Sequence, residues 1–575
     1  SVGGPLGEAW AGSVAGQWRE KDEQYFNFAD DVNQPTGLEE NLTLRGKLRY
    51  MGTDKFDAIL TVAYTNSKND SNQMPNGTTP GIPSTCQDPA IVDPATGTCP
   101  PGVNTQFSQD DLVFAEGPRG VNTPWIPYGP QPPLVNKPQA ETEQTIVGLT
   151  MSWDFTDNLT LKSITGYVGL DSNFMTDFTG TGFIVGGSES NGDQWTQEFQ
   201  LLGSAVDDRL TYIAGFFYLN DEADQLWGWN AFGGVPISLS TIDVETESIA
   251  VYADASFNFT DSLRLTAGLR YTEEDKDFKF VFDGFFPFPM PQETIILDTD
   301  PDDWTPRFVI EWTPMDSMML YASYAEGFKG SGFSAIAIFD TGPVAQYDAE
   351  TNQTYEIGMK ADWFDHRLRT NLAYYYSDIE DLQQNATVVD ENGNQSFPVQ
   401  NSGDATIQGL EFEISAVPVE GLNLFLSGTA FTDGKFTTLQ EGCGPPDEPE
   451  GCSAAAQAQY LFGVPAETPQ TPDYSYNIGF DYTFDFRQKY LGAVTFGMDF
   501  YKIDSYITAA TNEFRNTGWD TLNGYIAADI TDNWRVKLSG SNLTDEDNVT
   551  TGSRGLGGFI LLPPVQYLLQ VTYSM

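Results

Sequence analysis

Val565-Gln566-Tyr567-Leu568-Leu569-Gln570-Val571-Thr572-Tyr573-Ser574-Met575 closes the sequence, and most of what the chain is follows from its alternation. Tyr567, Leu569, Val571, Tyr573 and Met575 fall on one face of a strand, because successive strand side chains point to opposite sides. The more polar set Leu568, Gln570, Thr572 and Ser574 falls on the other. Just upstream, 519–529 and 534–542 read as two further strands joined by the tight turn Ile530-Thr531-Asp532-Asn533. A long Gly-rich loop, 543–564, leads into the final run. An apolar-faced terminal strand, reached through short turns and long loops in alternation, predicts a closed membrane barrel.

The same asymmetry recurs. Leu42, Leu44, Leu48 and Tyr50 alternate with Thr43, Arg45, Lys47 and Arg49, and Leu263, Leu265, Ala267, Leu269 and Tyr271 with Arg264, Thr266, Gly268, Arg270 and Thr272. Charged residues opposite an apolar face suit a lipid-facing wall around a wet interior. Short Asp/Asn/Gly turns such as Thr156-Asp157-Asn158 and Thr260-Asp261-Ser262 take turns with long connections at about 68–143, 172–192, 222–243, 283–302, 328–350, 380–404, 432–473 and 543–564. About twenty strands are expected, nearly all long enough to cross hydrocarbon when tilted. The fold class is all-β: a transmembrane antiparallel up-and-down barrel. So wide a wall leaves a lumen its own side chains cannot fill.

Composition sets the limits. No run of about 18 apolar residues exists, which excludes transmembrane helices. Lys+Arg number 28 against 81 Asp+Glu, a net charge of −53. So few cations exclude a nucleic-acid partner, since phosphates could not be neutralised. Either a solvated acidic surface or an attraction for cationic ligands accounts for the charge. The cysteines form two local pairs, Cys86 with Cys99 and Cys443 with Cys452, in Pro/Gly-rich loops, and are expected as disulfides of an oxidising compartment.

Five motifs, in order along the chain, resemble the TonB-dependent receptors of Gram-negative outer membranes. They are Gly3-Gly4-Pro5-Leu6, the segment from Tyr321-Ala322-Ser323-Tyr324 to Gly327-Phe328-Lys329, Tyr355-Glu356-Ile357-Gly358, Asn401-Ser402-Gly403 with Gly409-Leu410-Glu411, and Asn542-Leu543-Thr544-Asp545. The resemblance implies a 22-stranded barrel spanning residues 1–575. It also implies an N-terminal plug domain, TonB box and first strand that this sequence lacks. It further implies energised uptake of a scarce solute such as a ferric siderophore. The implied partners are the TonB complex through that N-terminal region, a small-molecule ligand, the barrel-assembly machinery reading the last strand, and outer-membrane lipid and lipopolysaccharide. A passive diffusion pore and a structural or adhesive surface barrel are the alternatives. The terminal Met575 departs from the family's usual Phe or Trp.

Catalysis finds no support. The single histidine, His366, sits in the short turn Asp365-His366-Arg367, where a solvated side chain needs no further role. The run Gly327-Phe328-Lys329-Gly330-Ser331-Gly332 lacks the spacing of a phosphate loop, and the acidic run 298–303 lacks the Gly and Glu of a calcium loop. No enzyme, resident metal or cofactor is expected. Ligand contact falls instead to aromatics in the long loops: Trp125 with Tyr128, Trp227 with Trp229, and Phe285, Phe286 and Phe288. Exposed aromatics are costly unless they stack on something, whether a ligand, each other or headgroups.

Overall fold

The computed structural model describes residues 1–21, 25–27, 34–36, 39–69, 77–78, 107–108, 113–114, 139–177, 184–231, 235–285, 289–335, 344–385, 388–389, 395–396, 399–437, 467–488, 491–508, 514–546, 548–552 and 559–574. Within them, twenty-two strands join one antiparallel sheet. In chain order these are β1 (Val2–Pro5), β2 (Trp10–Lys21), β3 (Glu39–Thr53), β4 (Phe56–Asn69), β5 (Gln139–Thr156) and β6 (Leu159–Asp177). There follow β7 (Ile184–Ala205), β8 (Leu210–Ala231), β9 (Val235–Thr260), β10 (Leu263–Gly284), β11 (Glu293–Thr299) and β12 (Asp302–Met315). Next come β13 (Met318–Lys329), β14 (Glu350–Trp363), β15 (Leu368–Glu380), β16 (Ala405–Val419) and β17 (Leu422–Phe436). The last are β18 (Tyr474–Gln488), β19 (Leu491–Ile503), β20 (Trp519–Asp529), β21 (Trp534–Ser541) and β22 (Gln566–Tyr573).

Apart from β11 and β12, each strand pairs with its sequence neighbours, so the wall goes simply up and down. β11 and β12 share one wall position. Both pair with β10, at Lys276↔Thr299 and Glu273↔Asp302, and the ladder breaks between them at Asp300-Pro301. Proline supplies no donor, which suits it to a break of this kind. The expected twenty strands are all present; Val2–Pro5 and the split at Asp300-Pro301 make up the difference. Among the described residues β1 pairs only with β2, and β22 only with β21. Both edge strands descend toward the short-turn end, so the two edges run parallel to each other.

Several strands are longer than expected. β7 to β10 run 22, 22, 26 and 22 residues, about twice what crossing hydrocarbon takes. The regions 172–192 and 222–243, expected as loops, are largely the upper halves of these strands. Only their tips, around 178–183 and 232–234, lie outside the described residues.

Candidate functional site: the inner wall at the long-loop end

Register fixes which way each side chain points. Across β5 to β10, the outward face at mid-height carries Leu149, Leu201, Phe199, Phe216, Val251 and Leu269. Aromatic pairs bound this apolar band at both ends. Trp10–Tyr50 and Trp534–Tyr573, with ring centroids 4.7 and 4.8 Å apart, mark the short-turn end. Tyr167–Trp195 and Tyr271–Trp304, at 4.7 and 4.8 Å, mark the other. Amphipathic rings settle at headgroup depth, so these girdles delimit the bilayer. In outer-membrane barrels the long connections face outward from the cell, so the extended halves of β7 to β10 stand on the extracellular side.

Above the upper girdle the two faces of that extension diverge. Its outward positions are acidic: Asp193, Glu222, Asp224, Asp243, Glu245 and Asp277, with Lys279, surround a shallow concavity of about 470 Å³. Glu222 lies opposite Glu245, and Glu245 opposite Asp277, so three carboxylates line up across three strands. Like charges placed directly opposite destabilise a sheet. Lys279 Nζ, 2.8 Å from Asp243 Oδ2, relieves one point of this belt.

Higher up, the inward positions within 184–192, 223–231, 238–244 and 278–284 carry no charge, Asp221, Glu274 and Lys276 lying inward just below them. β7 contributes Gly186, Ser188 and Ser190; β8 Gln225, Trp227 and Trp229; β9 Ser238, Ser240, Ile242 and Val244; β10 Phe278, Phe280 and Phe282. Phe278, Phe280 and Phe282 are buried together against Ile295, Leu297 and Phe333. The rings of Trp227 and Trp229 lie 5.5 Å apart between centroids, tilted by 53°, and Phe174 lies 6.2 Å from Trp227. Gln225 Nε2 donates to Ser190 Oγ at 3.0 Å. Ser240, directly across from Trp227, is 2% exposed. Its Oγ, like the Trp227 indole N–H, is withdrawn from solvent with no hydrogen-bond partner among the described residues. An unmade hydrogen bond at such a group costs about 1–3 kcal/mol.

Trp227 and Trp229 are therefore wall residues of β8 facing inward, not loop residues as the sequence suggested. Phe285 is exposed just past β10, its amide donating to Ile237 O at 2.8 Å. Phe286, Phe288, Trp125, Tyr128, Met575 and the cysteines Cys86, Cys99, Cys443 and Cys452 lie outside the described residues. Tyr567, Leu569, Val571 and Tyr573 share the outward face of β22 with their partners Leu538 and Trp534 on β21.

Lower down, the inner wall carries charge of both signs. Arg270 lies over the rings of Tyr252 and Phe217, and Tyr252 donates to Glu198. Arg307 reaches Asp254 at 3.4 Å, and Tyr321, beneath Lys360, donates to Glu356. Gly358 sits against the Tyr321 ring, where a Cβ would stand 2.4 Å from ring carbon. Arg19, Arg45 and Lys47 also face inward and carry no ion pair among the described residues. The net charge of −53 thus resides mainly outside the lumen wall.

Sequence reasoning missed the residues that hold the connections. Asn401 Nδ2 donates to Asp348 O and Asp381 O at 3.0 and 2.8 Å, and its Oδ1 accepts from the Asp348 amide at 2.7 Å. Gln383 Nε2 donates to Gly330 O and Asp348 O. Asn542, at φ +49°, donates to Glu546 O and Pro563 O and accepts from the Glu546 amide. Asn401 and Asn542 had stood out as motif members; their role as backbone clamps had not. His366 Nδ1 lies 3.1 Å from Asp362 Oδ2 at the opposite rim, remote from this region.

A wall of paired strands, girdled twice by aromatics and lined by a polar interior, is an outer-membrane β-barrel. The TonB dependent receptor-like, beta-barrel family model matches residues 92–543, and the chain belongs to that family, whose members are receptors and transporters and not enzymes. The ferric-pyoverdine M114 receptor PbuA of Pseudomonas sp. (strain M114) is 25% identical over 343 residues, 57% of this chain but 36% of that receptor's length. The ferric yersiniabactin uptake receptor FyuA from Yersinia pestis superposes with a TM-score of 0.71 at 14% identity, over 99% of this chain and 76% of its own. The siderophore receptor PiuA from Acinetobacter baumannii gives the same score and identity over 99% and 78%.

Proposed function

We propose that this barrel is the transport wall of an outer-membrane receptor that takes up a scarce solute, such as a ferric siderophore, using energy delivered by TonB. The carrying observation is the breadth of the wall. The twenty-one wall positions enclose more space than their own side chains fill, and the match to the TonB dependent receptor-like barrel family supports a receptor. PbuA and FyuA, named for ferric chelates, support the solute class.

The seam between β1 and β22 bears on the rest of the receptor. Backbone groups within hydrocarbon must be paired, yet the two edges descend in parallel. One ascending strand between them pairs antiparallel with both. We assign that strand, the plug and the TonB-contacting segment to a preceding N-terminal region of the protein. Outer-membrane lipid and lipopolysaccharide contact the girdled band, and the apolar face of β22 is what the barrel-assembly machinery reads.

Conductance separates this reading from a passive pore. The full-length receptor in planar bilayers is expected to show no steady open-channel current. A stable ohmic conductance without TonB is the result a diffusion pore gives, and it would overturn the proposal.

A further inference from the structure

We infer that an anionic solute descends the lumen along the inner face of β2 and β3, passing from Arg19 to Arg45 to Lys47. This rests on the uptake reading above and adds to it a path and a charge. The two strands hold five of the chain's 28 Lys and Arg residues, and register turns all five (Arg19, Lys21, Arg45, Lys47 and Arg49) inward. Lys21 is paired with Glu39 at 3.2 Å near the extracellular end, and Arg49 with Asp57 at 2.7 Å near the short-turn end. Between those pairs Arg19, Arg45 and Lys47 are exposed on the lumen face, with no ion pair among the described residues. No Asp or Glu faces inward on β2 from 11 to 19, β3 from 41 to 47, β4 from 59 to 67 or β5 from 142 to 152.

Spacing makes this a track and not a single site. Arg19 stands opposite Asn41, Arg45 opposite Ala15 and Lys47 opposite Ser13. At about 3.4 Å per residue the successive levels are roughly 13 and 7 Å apart. Gln17 and Thr43, opposite each other, supply uncharged donors in the wider gap. A guanidinium or ammonium group binds carboxylate, catecholate or phosphate oxygens through charge-assisted hydrogen bonds. Separate weak sites let a solute enter and leave again, where one deep site would hold it. Across the lumen, Glu356, Glu413 and Asp499 take their hydrogen bonds from Tyr321, Asn371 and Asn523. Those partners are neutral, so an anion on that side meets carboxylates. A chain of net charge −53 repels anions at large, and the unpaired cations of β2 and β3 make a local exception.

Uptake by cells carrying the full-length receptor tests the path, with trianionic ferric enterobactin and neutral ferrichrome as probes, each labelled with radioactive iron. The trianion is expected to accumulate faster than the neutral chelate. Arg45→Gln combined with Lys47→Gln is expected to slow the trianion about tenfold at equal receptor abundance. Arg45→Lys combined with Lys47→Arg, which keeps both charges, should restore the rate. Gel mobility of unheated samples confirms that each variant is folded. Four results would overturn the inference: no receptor-dependent uptake of the trianion, faster uptake of ferrichrome, an unchanged trianion rate in the folded Gln variant, or both chelates slowed in the same proportion. A steady current through the Gln variant in planar bilayers would also overturn it, by showing that the two cations hold the N-terminal region in place. TonB-dependent uptake indifferent to charge sinks this inference and leaves the uptake reading standing. Charge-selective accumulation without TonB does the reverse.

Discussion

At the scale of single residues, the sequence showed where something mattered and the structure shows why. Asn401 and Asn542 belong to motifs recognisable in the chain, but their function is carried by backbone carbonyls that no side-chain pattern encodes. The loop that Asn401 clamps also holds a titrating group. The Asp381 carboxyl is pushed above the usual range by burial first, then by the nearby Asp404 and Asp348. A carboxyl raised in the folded state binds its proton more readily there than in the opened loop. The loop is therefore most secure below the ordinary Asp range and loosens as pH rises through the elevated value. Hydrogen exchange at the Leu382 and Ser402 amides, which close this hairpin through Gly403 O and Leu382 O, should speed up over that window beyond the intrinsic pH effect. In Asp381→Asn the extra acceleration should vanish; if it persists, another group governs the loop.

At the scale of strands, existence was legible and length was not. Alternation of apolar with polar residues marks a strand only where one face meets lipid. In the upper halves of β7 to β10 the outward face turns acidic, while the inward face becomes aromatic and serine-rich. The expected contrast inverts, and the segments containing Trp227 and Trp229 look like polar loop. The break at Asp300-Pro301 was likewise read as the end of a loop, because proline hides the continuation of the wall on both sides. The girdle boundary makes a quantitative prediction. Ile357, outward at mid-height and 61% exposed to the bilayer, should cost about 2–4 kcal/mol when replaced by Arg. Glu247, outward just above the girdle, should tolerate Arg at a cost below about 1 kcal/mol. Denaturant titration of the barrel in lipid vesicles compares them; equal costs would mean that the bilayer does not end where the aromatic pairs place it.

At the scale of the whole molecule, the class was readable from the order of short turns and long connections, and the family from five motifs in register. The partition of charge was not readable, because composition reports a sum. Only register shows that the excess of carboxylates lies outside the wall, while Arg270, Arg307, Lys360 and their partners balance the interior. The dimensions of the barrel call for something to occupy and gate its lumen, which is what energised transport requires. Accumulation of labelled solute by cells is the measurement that reaches this claim most directly. Ferric enterobactin and ferrichrome, each carrying radioactive iron, would be supplied to wild-type cells, to cells lacking the receptor, and to cells depleted of TonB. The account predicts accumulation of at least one solute, lost alike without the receptor and without TonB. Accumulation that depends on the receptor but continues at full rate without TonB would contradict it and leave a passive pore.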